Sequence, residues 1–137
     1  MKLDLDYIKT LLNAINDCND DRVSMQYLIK ALKINMNEEQ NLGMKKLRHH
    51  LFLLYQSGFL ETSTSDLVFL EGSNGMISCM ANAKYWLTMS GYKLQESINN
   101  DSLFNNIKKG LKDIEIDTLK KIPSLAIEFL IKASIGS

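Results

Sequence analysis

The chain has 137 residues, 45% apolar and 23% charged, and its 16 basic and 16 acidic side chains cancel. That length holds one domain with a sizeable core, and the composition excludes a chain dominated by disorder. A net charge of zero also excludes nucleic-acid binding driven by a global basic excess, so any such site has to be a local patch.

The first helix is expected where Leu5, Ile8, Leu11, Leu12 and Ile15 recur at helical spacing. Asp4 and Asp6 stand at its start, where carboxylates favour the positive end of the macrodipole. The cluster from Asn16 to Asp21 breaks the pattern. Ser24 then serves as N-cap for a second helix with Met25, Leu28, Ile29 and Leu32 inside and Lys30 and Lys33 outside. The third helix has two possible starts. Asn37 with Gln40 forms a capping-box pattern for an early start; a start near Gly43 would instead keep that glycine out of the helix interior, where it costs about 1 kcal/mol. Either way Gly58 is a natural C′ residue.

After Gly58 the period changes. Asn74-Gly75 is a strong hairpin signal, because both central positions of a type I′ turn need positive φ. Strands are expected near Leu67–Glu71 and Met76–Met80, with shorter extended pieces near Phe59–Thr62 and Tyr85–Thr88. Helix returns near Ser90 or Gly91 with Leu94 and Ile98, breaks at Asn99-Asn100-Asp101, and resumes with Leu103, Phe104, Ile107 and Leu111. A last helix is expected from Asp117 to Ala133, where Pro123 could kink it or mark a later start. No repeat or linker divides the chain. Residues 1–137 read as one domain, a core over 1–89 with a helical extension over 90–137 packed on it.

The order helix, helix, helix, β-ribbon, helices is that of an α+β winged helix-turn-helix with an α-helical C-terminal extension, and other small α+β folds share pieces of it. The stretch Leu3-Asp4-Leu5-Asp6-Tyr7-Ile8-Lys9-Thr10-Leu11-Leu12 is similar to an R-D-x-D-L-I-R-x-I-L-L start, with leucine and lysine where arginines are usual. The stretch His50-Leu51-Phe52-Leu53-Leu54-Tyr55-Gln56-Ser57-Gly58-Phe59-Leu60 is similar to H-L-x-L-L-x-x-x-G-L-I. Thr88, Gly91, Asn100, Asp101 and Lys108 fit a later pattern of threonine and glycine opening a helix, then N-D-x-x-W-x-x-x-K, with Phe104 in place of tryptophan and Tyr92 in place of histidine. In these motifs the chain resembles an uncharacterised bacterial and prophage winged-helix family, a domain of unknown function. The resemblance implies a fold and a phage context, and no reaction.

Chemistry is sparse. Neither Cys18 nor Cys79 has the context of a nucleophile, and two cysteines make no disulfide framework, so they read as reduced thiols of a cytosolic protein. His49 and His50, the only histidines, diverge by about 100° on a helix and do not chelate one metal ion; they read as one surface and one packing position. The segment Glu71-Gly72-Ser73-Asn74-Gly75-Met76 has hairpin spacing, not that of a phosphate loop. No catalysis, cofactor or metal is expected. The N-terminal aspartates do not suit an export signal, and the longest apolar run, Leu51 to Tyr55, is far short of the roughly 20 residues of a membrane span. A cytoplasmic location without a membrane partner follows.

What remains is recognition. A third helix starting near Gly43 would lead with Lys45, Lys46, Arg48 and His49, residues suited to guanine edges and phosphates, with Asn74 at the wing tip. A start at Asn37 would lead with Glu38 and Glu39, which repel a phosphate-lined groove. The expectation is a DNA-binding regulator of phage or mobile-element type. The competing expectation is a phage accessory protein that binds and modulates a host protein. The broad apolar arc of the last helix, Leu125, Ile127, Phe129 and Ile131 among it, suggests a homodimer interface.

Overall fold

The computed structural model describes residues 3–63, 69–72, 77–79 and 82–110. Asn74 and the expected last helix, with Leu125, Ile127, Phe129 and Ile131, lie outside them. The described elements run α1 (Leu5–Asp17), β1 (Val23–Ser24), α2 (Met25–Ala31), α3 (Leu42–Gln56), β2 (Leu60–Thr62), β3 (Phe69–Glu71), β4 (Ile77–Cys79), β5 (Lys84–Leu87), α4 (Met89–Ile98) and α5 (Asp101–Gly110). The architecture is α+β.

α1 forms where its periodicity predicts. Asp4 is its N-cap, its Oδ1 accepting from the Tyr7 N–H at 3.1 Å, which satisfies one donor that the helix cannot pair internally. Leu5, Ile8, Leu11, Leu12 and Ile15 are all buried. Ser24 caps α2 in the same way, through the Tyr27 N–H.

α2 ends in a Schellman motif: Ile34 N–H donates to the Ile29 carbonyl at 3.0 Å and Lys33 N–H to that of Lys30 at 3.2 Å. The left-handed position of that motif is held by Lys33 at φ 55. The connection over residues 32–41 is longer than the three- or four-residue turn of a simple helix-turn-helix. It is folded on itself, with Glu38 N–H donating to the Asn35 carbonyl and Asn41 N–H to the Glu38 carbonyl.

The choice left open for α3 is decided at Leu42. Residues 36–37 and 39–40 are turns and helix begins only at Leu42, so the Asn37/Gln40 capping box does not form. Instead Glu38 Oε2 reaches the Gly43 N–H at 3.4 Å, and a Cβ on Gly43 would stand 3.0 Å from Ile34 Cγ2. Glycine at that position admits Ile34 to the helix start. At the other end Gly58 takes φ 81, and Phe59 and Gly58 donate back to Leu54 and Tyr55 in a second Schellman motif.

The short strands assemble around β5. The sheet order is β1-β5-β2, antiparallel throughout, with Val23 opposite Tyr85 and Leu60 opposite Leu87. Val23, Leu60, Tyr85 and Leu87 point inward and are buried, while Ser24, Glu61, Lys84 and Trp86 lie on the other face. β3 and β4 form a separate antiparallel hairpin, Phe69 opposite Cys79, inserted between β2 and β5; β4 lies alongside α3. The expected hairpin is present, and its turn lies outside the described residues.

α4 begins one or two residues before expectation. Thr88 is its N-cap, donating from Oγ1 to the Gly58 carbonyl at 2.6 Å and accepting from the Gly91 N–H at 3.1 Å. A Cβ on Gly91 would fall 2.1 Å from the Phe59 carbonyl oxygen. The threonine and glycine that open this helix therefore fasten it to the end of α3. The core joins Leu11 and Leu12 of α1, Leu47, Leu51 and Leu54 of α3, Tyr85 of β5 and Leu94 and Ile98 of α4.

Candidate nucleic-acid interface

α3 buries Met44, Leu47, His50, Leu51, Leu53 and Leu54. At 100° per residue these fill one half of the helix. Lys45, Arg48, His49 and Phe52 share the other half, and Lys46 falls on the flank between them. Sequence proximity therefore grouped four residues, Lys45, Lys46, Arg48 and His49, that the helix divides between its outward half and its flank.

Lys46 faces α1. Its Nζ is 2.8 Å from Asp4 Oδ2 and 4.8 Å from the centre of the Tyr7 ring. The Lys46 ammonium beside Asp4 holds that carboxyl below its ordinary range against a partial burial that raises it. Lys46 is thus a structural cation first, and any contact it made to a phosphate would compete with Asp4.

His50 is fully buried. Its Nε2 accepts from the Asp4 backbone N–H at 3.0 Å and its Nδ1 lies 2.8 Å from the Lys46 carbonyl. A backbone N–H can only donate and a carbonyl only accept, so the ring is neutral with its proton on Nδ1. Burial pushes its pKa down to about 4. The Tyr7 ring packs on it at 4.8 Å, and burial raises the Tyr7 phenol to about 12. His50 is the packing position expected of one histidine of the pair, and it ties the start of α1 to the middle of α3.

The outward side is different. Arg48 is half-buried, and its Nε is buried without a hydrogen-bond partner among the described residues, an arrangement that costs about 1–3 kcal/mol unless a ligand oxygen answers it. Lys45 is half-exposed one turn earlier. His49 stands edge-on to His50, ring centres 5.4 Å apart. The first turn of α3 carries no acidic side chain, although the Glu38 carboxylate approaches it from the preceding loop.

Sequence reasoning missed two features of this region. Met36 and Leu42 are 52% and 50% exposed and sit on either side of the Glu38 turn. On the outer face of the sheet, the Arg22 guanidinium stacks on Trp86 at 4.4 Å while Trp86 Nε1 donates to Glu61 Oε2 at 3.2 Å. The period-2 alternation of Lys84-Tyr85-Trp86-Leu87 was the available signal for that face. Among the described residues no group of three or more metal-ligating side chains occurs, and no helix is long and apolar enough to cross a membrane. Comparison of the chain with protein-family models, with curated proteins and with solved structures finds no match.

Proposed function

We propose that the chain is a non-enzymatic DNA-binding protein, a cytoplasmic winged helix-turn-helix regulator of phage or mobile-element type that needs no cofactor. In this reading α2 and α3 are the helix-turn-helix, α3 enters the groove, and the β3–β4 hairpin is the wing. The carrying observation is the start of α3 at Leu42, which puts Lys45, Arg48 and His49 on its outward side within two turns and leaves its first turn without an acidic residue of its own, the Glu38 carboxylate reaching only the Gly43 N–H. The sheet order β1-β5-β2, with β1 before α2 and the hairpin between β2 and β5, supports the same reading, as does the sequence resemblance. Lys45 and Arg48 supply the main contacts; Lys46 is secondary because Asp4 holds it.

Binding to pooled genomic DNA at two salt concentrations tests this. Replacing Lys45 and Arg48 by alanine is expected to weaken binding and to reduce the slope of log K against log salt by about 2, one unit per lost phosphate contact. Absence of wild-type binding at low salt removes the proposal.

One observation favours a second reading, a module that docks on a host protein. The exposed Met36 and Leu42 beside Glu38 and Glu39 resemble an adaptable protein contact more than a phosphate contact. Under that reading Met36→Ser with Leu42→Ser abolishes partner capture and leaves DNA affinity unchanged. A homodimer through Leu125, Ile127, Phe129 and Ile131 is compatible with either reading, and sedimentation equilibrium at several concentrations tests it.

A further inference from the structure

A groove of about 310 Å³ opens on the outer face of the sheet, lined by Ser24, Gln26, Asn82, Ala83 and Lys84. Among the described residues its lining carries one ammonium and two side-chain amides, and no carboxylate. Ser24 pairs with Lys84 across β1 and β5, so the groove has rigid strand backbone under it. The Lys84 side chain enters no ion pair among the described residues, in contrast to Lys46, Lys9 and Lys108, which face Asp4, Asp101 and Asp6. Arg22, held by its stacking on Trp86, adds a second cation on the same face. Of the carboxylates beside it, Glu61 is engaged by the Trp86 indole, and Asp21 precedes Arg22 on the loop outside the lining.

We propose that this groove is an anion site that takes a phosphate group, with the Lys84 ammonium and the amides of Gln26 and Asn82 donating to its oxygens. The chemistry follows from the donor set: a concave surface offering several N–H donors and a positive charge, with no carboxylate among its described lining residues, selects a compact oxyanion. The phosphate can belong to a nucleic-acid backbone or to a small phosphorylated molecule. The site does not depend on α3 and stands beyond the function proposed above.

The test titrates inorganic phosphate, then a 20-base-pair duplex, into the whole chain, wild type and Lys84→Ala, following backbone amide resonances and the fluorescence of Trp86, the chain's single tryptophan. Phosphate is expected to shift the amides of residues 24, 26, 82 and 84, and Lys84→Ala to weaken that response about tenfold, the effect of one charge-assisted hydrogen bond. Lys84→Gln, which retains a donor, is expected to fall between them. If Lys84→Ala also lowers the salt slope of duplex binding by about one unit, the phosphate is that of nucleic acid. If duplex binding is unchanged while the phosphate response is lost, the site serves a small phosphorylated ligand. A wild type that ignores the duplex but keeps the phosphate response defeats the α3 reading and leaves this one standing. A phosphate response that is absent, or equally strong in Lys84→Ala, overturns the site.

Discussion

The buried His50 makes acid stability a quantitative test of how α1 and α3 are joined. In the unfolded chain the imidazole titrates near its ordinary value of about 6.5, whereas in the folded chain burial holds it down at about 4. A folded value below the unfolded one means that the unfolded state binds the proton first, so stability falls as pH falls. The loss begins as pH drops through about 6.5 and levels off below about 4, at a total of about 3 kcal/mol, from 1.36 kcal/mol per unit of difference. Between pH 7 and pH 5 it amounts to about 2 kcal/mol. Asp4 does not intrude on that window. Its carboxyl is lowered in the folded state, so its contribution is present above its unfolded value and is lost only as pH falls through the lower, folded one.

Urea unfolding followed by circular dichroism at pH 7 and pH 5 measures this, with His50→Gln as the comparison. Glutamine replaces at most one of the two hydrogen bonds, so at pH 7 the variant is expected to be less stable by about 1–3 kcal/mol. Its stability should then change little between pH 7 and pH 5, while the wild type loses about 2 kcal/mol more. His49 is present in both chains and cancels. Equal pH dependence in the two proteins would refute the neutral, doubly bonded histidine.

Other substitutions read other joints. Gly91→Ala drives a methyl group into the Phe59 carbonyl and is expected to cost about 3 kcal/mol or more, lowering Tm by about 10 °C in a thermal melt. Lys33→Gly relieves a left-handed residue at φ 55 and should raise stability by about 1 kcal/mol in the same measurement. Lys46→Ala is expected to cost no more than about 1 kcal/mol, because both partners of its pair are partly exposed. The Asp4 carboxyl, followed by carbon NMR, should at the same time move up toward its ordinary range; a carboxyl that stays low without Lys46 contradicts the assigned cause.

The comparison of Lys45 with Lys46 shows where sequence reading reaches its limit. The stripe Met44, Leu47, Leu51, Leu54 is visible in the sequence, and so is the position of His50 beside it, three residues after Leu47 and four before Leu54. Periodicity alone therefore places His50 on the buried half and Lys45 on the open half. It leaves Lys46 undecided at the border. What decides Lys46 is that the N-cap of α1 brings the Asp4 carboxylate to that border, a contact between residues 42 positions apart with no local signature. The start of α3 has the same character. Asn37 and Gln40 satisfy a local capping rule, and the rule loses because Ile34, turned back by the Schellman end of α2, occupies the space beside Gly43. β1 escaped notice because two residues are too few to show a period of two; it exists because β5 offers Val23 and Ser24 an edge to pair with. The elements that local physics dictates, α1, α2 and the Gly58 stop, appear where their residues ask for them. The outward face of α3 is set by which of its cations finds a carboxylate on another helix: Lys46 finds Asp4, and the described residues supply none to Lys45 or Arg48.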